Sequence, residues 1–232
     1  MKAMAADNTH ETAFKMLTVN KKARIIDLPC GNGAMAQRLI DSGFTNIVCG
    51  DINTDDILIK DKVKCVEVNL NHTTPFAAGE FDAVICIECI EHLENPFNLM
   101  RELSRITAKG GEVIVSTPNI LSTSSRSKFL SGGYFPHFAE LACRWDEVVQ
   151  SGYQAHVMPV SLTMLLYLAH INGLKLVDVQ TNKFSRRPRL KDRLIAKIVK
   201  SVSRRFYDKQ IYALLTSDTV LYGDILIYKF TK

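Results

Sequence analysis

The sequence predicts a doubly wound α/β fold built on a parallel sheet, and three observations carry that expectation. A short apolar run, Ala23–Leu28, enters the turn Pro29-Cys30-Gly31-Asn32-Gly33, which opens a helix and leads to a second run ending at Asp51. Strand and helix signals then alternate along the rest of the chain, with lengths suited to β-α-β units. Hydrophobic residues make up 47% of the 232, which excludes a disordered chain and suffices for a full α/β core.

Each element has a local reason. Ala23–Leu28 reads as a buried strand because polar Lys21 and Lys22 precede it and a Pro/Gly turn follows. Gly31 and Gly33 lack a Cβ, so the backbone can turn tightly and admit a ligand closely. Ala34–Ser42 is the following helix, with Ala34, Leu39 and Ile40 apolar and Gly43 as its stop. Asn46–Gly50 is the second strand. Strand, glycine turn, helix, strand and acid describe a nucleotide pocket at the carboxyl edge of a sheet, with Asp51 available to ribose hydroxyls. A plain strand–turn–helix without ligand is the alternative.

Lys64–Leu70 is the third strand and Phe81–Ile87 the fourth. Pro96–Thr107 is a helix ending at Lys109-Gly110-Gly111, and Glu112–Thr117 is the fifth strand. Leu162–Asn172 is a helix stopped by Gly173, Leu174–Thr181 the sixth strand, and Leu221–Phe230 the last. Between the fifth strand and the next helix lies Ile120–Pro159, with Phe129, Tyr134, Phe135, His137, Phe138, Trp145 and Tyr153 among Gly132, Gly133 and Gly152. A loop this long reads as a lid or binding insertion over 120–160 of a single 1–232 domain. Its aromatics would stack on a ring, sugar or base, or pack the loop on the core.

Several classes are excluded. A dinucleotide fingerprint needs a third glycine where Ala36 stands, and Asp27 before the turn would repel a pyrophosphate while welcoming a cation. Met1–Lys22 lacks the apolar core of a secretory signal, and Val160–Ala169 is too short to span a bilayer. Cys30, Cys49, Cys65, Cys86, Cys89 and Cys143 fall mostly in or beside strands, as in a cytosolic protein, and the lone Cys86/Cys89 pair does not call for zinc or redox use. A cytoplasmic location is expected.

Charge is uneven. Residues 183–209 hold 11 basic side chains (Lys183, Arg186, Arg187, Arg189, Lys191, Arg193, Lys197, Lys200, Arg204, Arg205 and Lys209) against Asp192 and Asp208. With +5 for the chain, the excess of nine leaves −4 elsewhere. Leu190, Leu194, Ile195, Ile198, Val199, Val202 and Phe206 recur at helical spacing and predict one apolar stripe. This basic amphipathic insertion before the last strand would pack on the domain or a partner subunit, contact the inner membrane surface peripherally, or bind nucleic acid. Nothing in the sequence selects an oligomeric state.

The segment Asp27-Leu28-Pro29-Cys30-Gly31-Asn32-Gly33 resembles motif I of class I S-adenosylmethionine-dependent methyltransferases, departing from it at Pro29 and Cys30. Phe81-Asp82-Ala83-Val84 through Glu88, Glu91, His92 and Pro96 resembles the post-strand segment of ubiquinone-type O-methyltransferases. The resemblance implies a Rossmann-like, seven-stranded, mostly parallel sheet with its last strand reversed, and S-adenosylmethionine as cofactor. It places the cofactor's amino-acid end near Asp27 and Gly31 in the Pro29, Cys30 and Gly33 turn, and its ribose on Asp51 beside Ile52. The adenine would meet Asn69-Leu70, where a simple turn cap is the equal alternative, and Ile87 and Glu88 would flank the methionine part.

Glu88, Glu91 and His92 stand at i, i+3 and i+4, so on a helical turn they share one face and form a candidate hard-metal site. The same E-x-x-E-H is similar to that of small-RNA 3′-terminal 2′-O-methyltransferases, which complete a magnesium site with a downstream histidine; His156 occupies the comparable place. The expected set is Glu88, Glu91, His92 and His156 with Mg2+. A metal-free loop ordered by Glu91 and His92 is the alternative. Phe129–Phe138 and His156–Ser161 resemble methyltransferases of bacterial surface-polysaccharide clusters. The expected reaction is therefore O-methylation of a sugar hydroxyl on a surface glycan or lipid-linked precursor. His156 is the favoured base, with His137, His92 and Glu91 as further base or ligand candidates. A quinone-precursor phenol, an RNA terminus and a cofactor-binding protein without turnover are the alternatives.

Overall fold

The computed structural model describes residues 3–139, 141, 144–151, 155–184 and 188–232. Cys143, Gly152, Tyr153, Arg186 and Arg187 lie outside the described residues. Seven strands form one sheet: β1 Arg24–Asp27, β2 Asn46–Asp51, β3 Lys64–Glu67, β4 Phe81–Cys86, β5 Thr107–Pro118, β6 Lys175–Thr181 and β7 Ile225–Thr231. Their spatial order is β3-β2-β1-β4-β5-β7-β6, with β7 antiparallel to both neighbours and every other pairing parallel. Strand order reverses beside β1, so the carboxyl ends of β1 and β4 flank a crevice, the usual ligand position in such sheets.

Helices cover both faces. On one, α1 (Thr9–Met16) and α2 (Ala34–Asp41) pack over Ile25, Ile47, Ile85 and Ile227; on the other, α3 (Pro96–Ile106) and α6 (Leu162–Ile171) pack over Val84, Val113, Val115 and Tyr228. Gly33 begins α2 at φ +87°, where a Cβ would stand 2.8 Å from the Ile59 side chain, so glycine is required there twice over.

Three expectations about elements are corrected. Ile120–Pro159 is not one irregular loop: it holds α4 (Thr123–Gly132), a short turn Pro136–Phe138 and α5 (Trp145–Ser151). Ser122 starts α4 by accepting from the Ser125 amide. The last strand begins at Ile225, because Ser217 caps a short helix, α9 (Asp218–Tyr222), that takes Leu221 out of the sheet. β3 stops at Glu67, since the Asn69 side chain accepts from the Asn71 amide and turns the chain.

The basic segment folds as α7 (Leu190–Phe206), followed by α8 (Lys209–Leu215) and α9. Its apolar residues do not form one stripe. Ala196 and Val199 are buried with Leu221, whereas Leu190, Leu194, Ile198, Val202 and Phe206 are exposed.

Candidate functional site

The crevice is a cavity of about 640 Å3. One side is the turn after β1, with Pro29, Cys30 and Gly31 in its wall, facing Asp51 and Ile52 from the end of β2 and Asn69 and Leu70 from beyond β3. The other side is Ile87 and Glu88 after β4, then His92 and His156. The Gly31 amide donates to Asp51 Oδ2 at 2.7 Å, and Asp51 Oδ1 accepts from the Asn53 amide at 3.2 Å. Asp51 therefore shapes the turn as well as lining the cavity.

Two expected contacts are displaced from the wall. Asp27 is fully buried beneath the turn, and burial raises its carboxyl to about 8 despite a hydrogen bond from the Ala36 amide. It braces the start of α2 rather than reaching into the cavity. Gly33 likewise packs on Ile59 behind the wall.

Glu88 does not share a face with Glu91 and His92, because the chain bends there instead of forming a helical turn. Its φ is +46°, a left-handed conformation that costs a non-glycine residue about 1 kcal/mol or more, and the Ser116 hydroxyl holds its amide at 2.9 Å. Its Oε2 accepts from the Ala6 amide at 2.8 Å, Oε1 is buried without a partner, and burial raises the group above the usual carboxylate range. Glu88 is thereby removed from the expected metal set.

Glu91, His92 and His156 do converge, with one donor atom from each lying within 4.8 Å of the others. Glu91 is 0% exposed, the nearby Thr117 hydroxyl and its own amide form no well-aligned hydrogen bond to its carboxylate, and burial lifts its carboxyl to about 8. The His92 and His156 rings meet edge to face at 4.6 Å. His92 Nδ1 lies 2.9 Å from the Ala155 carbonyl and His156 Nδ1 2.8 Å from that of His137. A carbonyl only accepts, so each Nδ1 carries the proton and each Nε2 keeps its lone pair. Burial, then the neighbouring His92, pulls His156 down to about 4; burial also lowers His92. Both imidazoles are neutral at pH 7. The Val157 and Met158 amides both donate to the Glu91 carbonyl, tying the two segments together.

His137 stands one step back: its Nε2 contacts Asp224 Oδ1 at 2.9 Å while its carbonyl holds His156. That hydrogen bond, with Lys183 at 3.5 Å, holds Asp224 below its usual value. Asp224, 87 positions from His137 and without a motif, carries no sequence signal, and Lys183 stands out in the sequence only as one of the basic cluster. Met4, Ala5 and His10 were also missed; they line the cavity from a polar N-terminal stretch whose pattern resembles any solvated segment.

A family model described as a methyltransferase domain matches residues 1–179. A ubiquinone biosynthesis O-methyltransferase of Psychrobacter arcticus is 24% identical over 119 residues, covering 47% of this chain and 46% of its own. The same-named protein of Colwellia psychrerythraea is 28% identical over 165 residues, 67% of this chain and 62% of its own. The chain thus spans about half the length of the curated relatives it matches. A putative methyltransferase of Bacillus halodurans shares the fold at a TM-score of 0.63 and 14% identity, over 97% of this chain and 98% of that one. The family match spans the glycine turn, Asp51 and the Glu91-His92 pair alike, and this chain belongs to the methyltransferase-domain family.

Proposed function

We propose that this protein moves the methyl group of S-adenosylmethionine to the oxygen of a hydroxylated acceptor, with a quinone-precursor phenol as the leading acceptor. One observation carries the reading: a single cavity has the glycine turn and Asp51 on one side and His92 and His156 on the other. In this reading the ribose rests on Asp51 and the adenine beside Asn69 and Leu70. The methionine end passes Gly31 and Glu88, whose unpartnered buried Oε1 suits an ammonium. Methyl transfer is an in-line displacement, so the protein's first task is to hold acceptor oxygen, methyl carbon and sulfur in line. Its second is to take the hydroxyl proton. The Nε2 of His156, neutral and anchored through Nδ1, is the proposed base, worth about 10²–10⁴ in rate.

A divalent ion is the alternative to that base, because the single lone pair on His156 Nε2 either takes the proton or binds a metal. Glu91 is a buried carboxylate without a well-aligned hydrogen bond, beside two imidazoles whose Nε2 atoms are free to ligate, and these three residues would hold the ion. Glu91 would give up its proton to do so. When bound, such an ion lowers the pKa of a coordinated hydroxyl. Two nitrogens and one carboxylate suit manganese, iron or zinc better than magnesium, which favours oxygen ligands. This reading replaces the expected Mg2+.

The phenol is favoured by the relatives named ubiquinone biosynthesis O-methyltransferases. A sugar hydroxyl is the second reading, supported by Phe129, half exposed and stacked on Phe135 at 4.8 Å next to the His137 turn. Labelled methyl transfer from S-adenosylmethionine to catechol-type phenols and to glycosides separates the two. His156→Gln should lower kcat about 100-fold or more with little change in affinity for S-adenosylhomocysteine. A variant with wild-type kcat removes His156 as the base. Glu91→Gln should lose manganese retention measured by metal analysis of the purified protein; equal retention would dispose of the metal site.

A further inference from the structure

We propose that α7 docks this protein on an anionic lipid surface. The helix has three faces. Ala196, Val199 and Ser203, at i, i+3 and i+7, are buried, and they hold α7 to the body along one narrow line where it packs on α4 and against Leu221 of α9. Leu190, Leu194, Ile198, Val202 and Phe206, each four residues apart, form a second line that is left in solvent at 75%, 53%, 62%, 49% and 77% exposure. Arg193, Lys197, Lys200 and Arg204 form a third, and all four are exposed. Lys191 and Arg205 rise at the edges of the apolar line, also exposed.

Five large apolar side chains left in water along one helix are a standing cost unless something covers them. Their neighbours say what that is. Residues 183–209 carry an excess of nine positive charges on a chain whose remainder is net negative, so the covering surface is anionic. An apolar line beside a cationic one fits the boundary between acyl chains and phosphate headgroups, where the first inserts shallowly and the second stays wet. Nucleic acid would use the cations and leave the leucine, isoleucine, valine and phenylalanine unexplained. A second copy of the chain would bring like charge against like. No described helix is long and apolar enough to cross a membrane, so this contact is a surface one.

The docking face adjoins the acceptor side of the site. α4 packs along α7, Phe129 of α4 stacks on Phe135, and the next turn carries His137, whose carbonyl orients His156. An acceptor with a lipid tail would thus meet the protein on the wall that holds the proposed base.

The test is co-sedimentation of the full chain with phosphatidylglycerol–phosphatidylcholine vesicles and with pure phosphatidylcholine vesicles. Wild type should pellet with the anionic vesicles, and raising salt to about 1 M, where screening acts within about 3 Å, should release most of it. Two variants should each lower partitioning at least about tenfold: Lys197→Glu/Lys200→Glu/Arg204→Glu/Arg205→Glu, and Leu194→Ser/Ile198→Ser/Val202→Ser. All seven positions are exposed and outside the cavity, so melting temperature and S-adenosylhomocysteine affinity should stay at wild type. Wild type left in the supernatant at low salt overturns the proposal. So does a charge-reversed variant that still pellets, or equal binding to neutral vesicles. A dimer in sedimentation velocity that the serine variant dissociates, without vesicle binding, assigns the face to a second copy. RNA binding indifferent to the serine substitutions, without vesicle binding, assigns it to nucleic acid.

Discussion

Asp51 and Asp27 show how differently two carboxylates of one turn are employed. Asp51 takes the Gly31 and Asn53 amides and still borders the cavity, so its loss would loosen the turn and remove the proposed ribose acceptor together. Asp51→Ala should weaken S-adenosylhomocysteine binding by about 2 kcal/mol in calorimetry, with Asp51→Asn in between. Unchanged affinity in the alanine variant would take the ribose away from Asp51. Asp27 is the opposite case, held fully buried with one oxygen unpartnered. Its folded value of about 8 lies above the ordinary 3.8, so the folded state retains a proton that the unfolded state has lost between those limits. Stability therefore falls as pH rises from about 4 to about 8. Glu91, also lifted to about 8, contributes with the same sign. Asp27→Asn should flatten that decline without abolishing it, as urea denaturation across this pH range would reveal. A steeper decline in the variant would contradict the assignment. Sequence spacing brought out both acids, but only burial separates their roles, and burial depends on what packs above the turn.

At the scale of elements, β7 illustrates what periodicity can and cannot say. Its six residues from Ile225 to Phe230 are buried, and one of them is Lys229, sandwiched where a hydrophobic residue would be expected. Lys229 pairs with Glu112 of β5 at 2.9 Å and donates to the Met16 carbonyl and the Thr18 hydroxyl, fastening the chain after α1 to the sheet. Removing one partner of a buried pair strands the other, so Lys229→Ala should cost about 3–5 kcal/mol in chemical denaturation. A loss under 1 kcal/mol would mean that water reaches Glu112 readily. The strands were legible because their apolar runs are bounded by Gly, Pro and charge; so was the helix–strand alternation. α4 and α9 were not, since α4 is mostly serine and charged residues, with Phe129 and Leu130 adjacent rather than repeating on one face, and α9 is shorter than any periodicity can reveal.

For the whole molecule, the candidate site gathers the turn after β1, the ends of β2 and β4, residues 155–156 and Asp224 around one sheet edge. The first three were legible because each lies next to a strand end with a local residue pattern, and His156 from its place before the helix at Leu162. The pairing of His137 with Asp224 was not, since it is made only by the return of β7 between β5 and β6. The division of α7 into buried, apolar and cationic lines was equally hidden, because sequence spacing gives the helix its faces but not which one meets the body. The central claim is that one cavity joins the cofactor turn to the Glu91-His92-His156 cluster. A crystal structure of the protein with S-adenosylhomocysteine tests it most directly. The account predicts the ribose on Asp51 and the homocysteine sulfur directed toward His92 and His156. A ligand bound elsewhere, or one whose sulfur points away from both histidines, would contradict it.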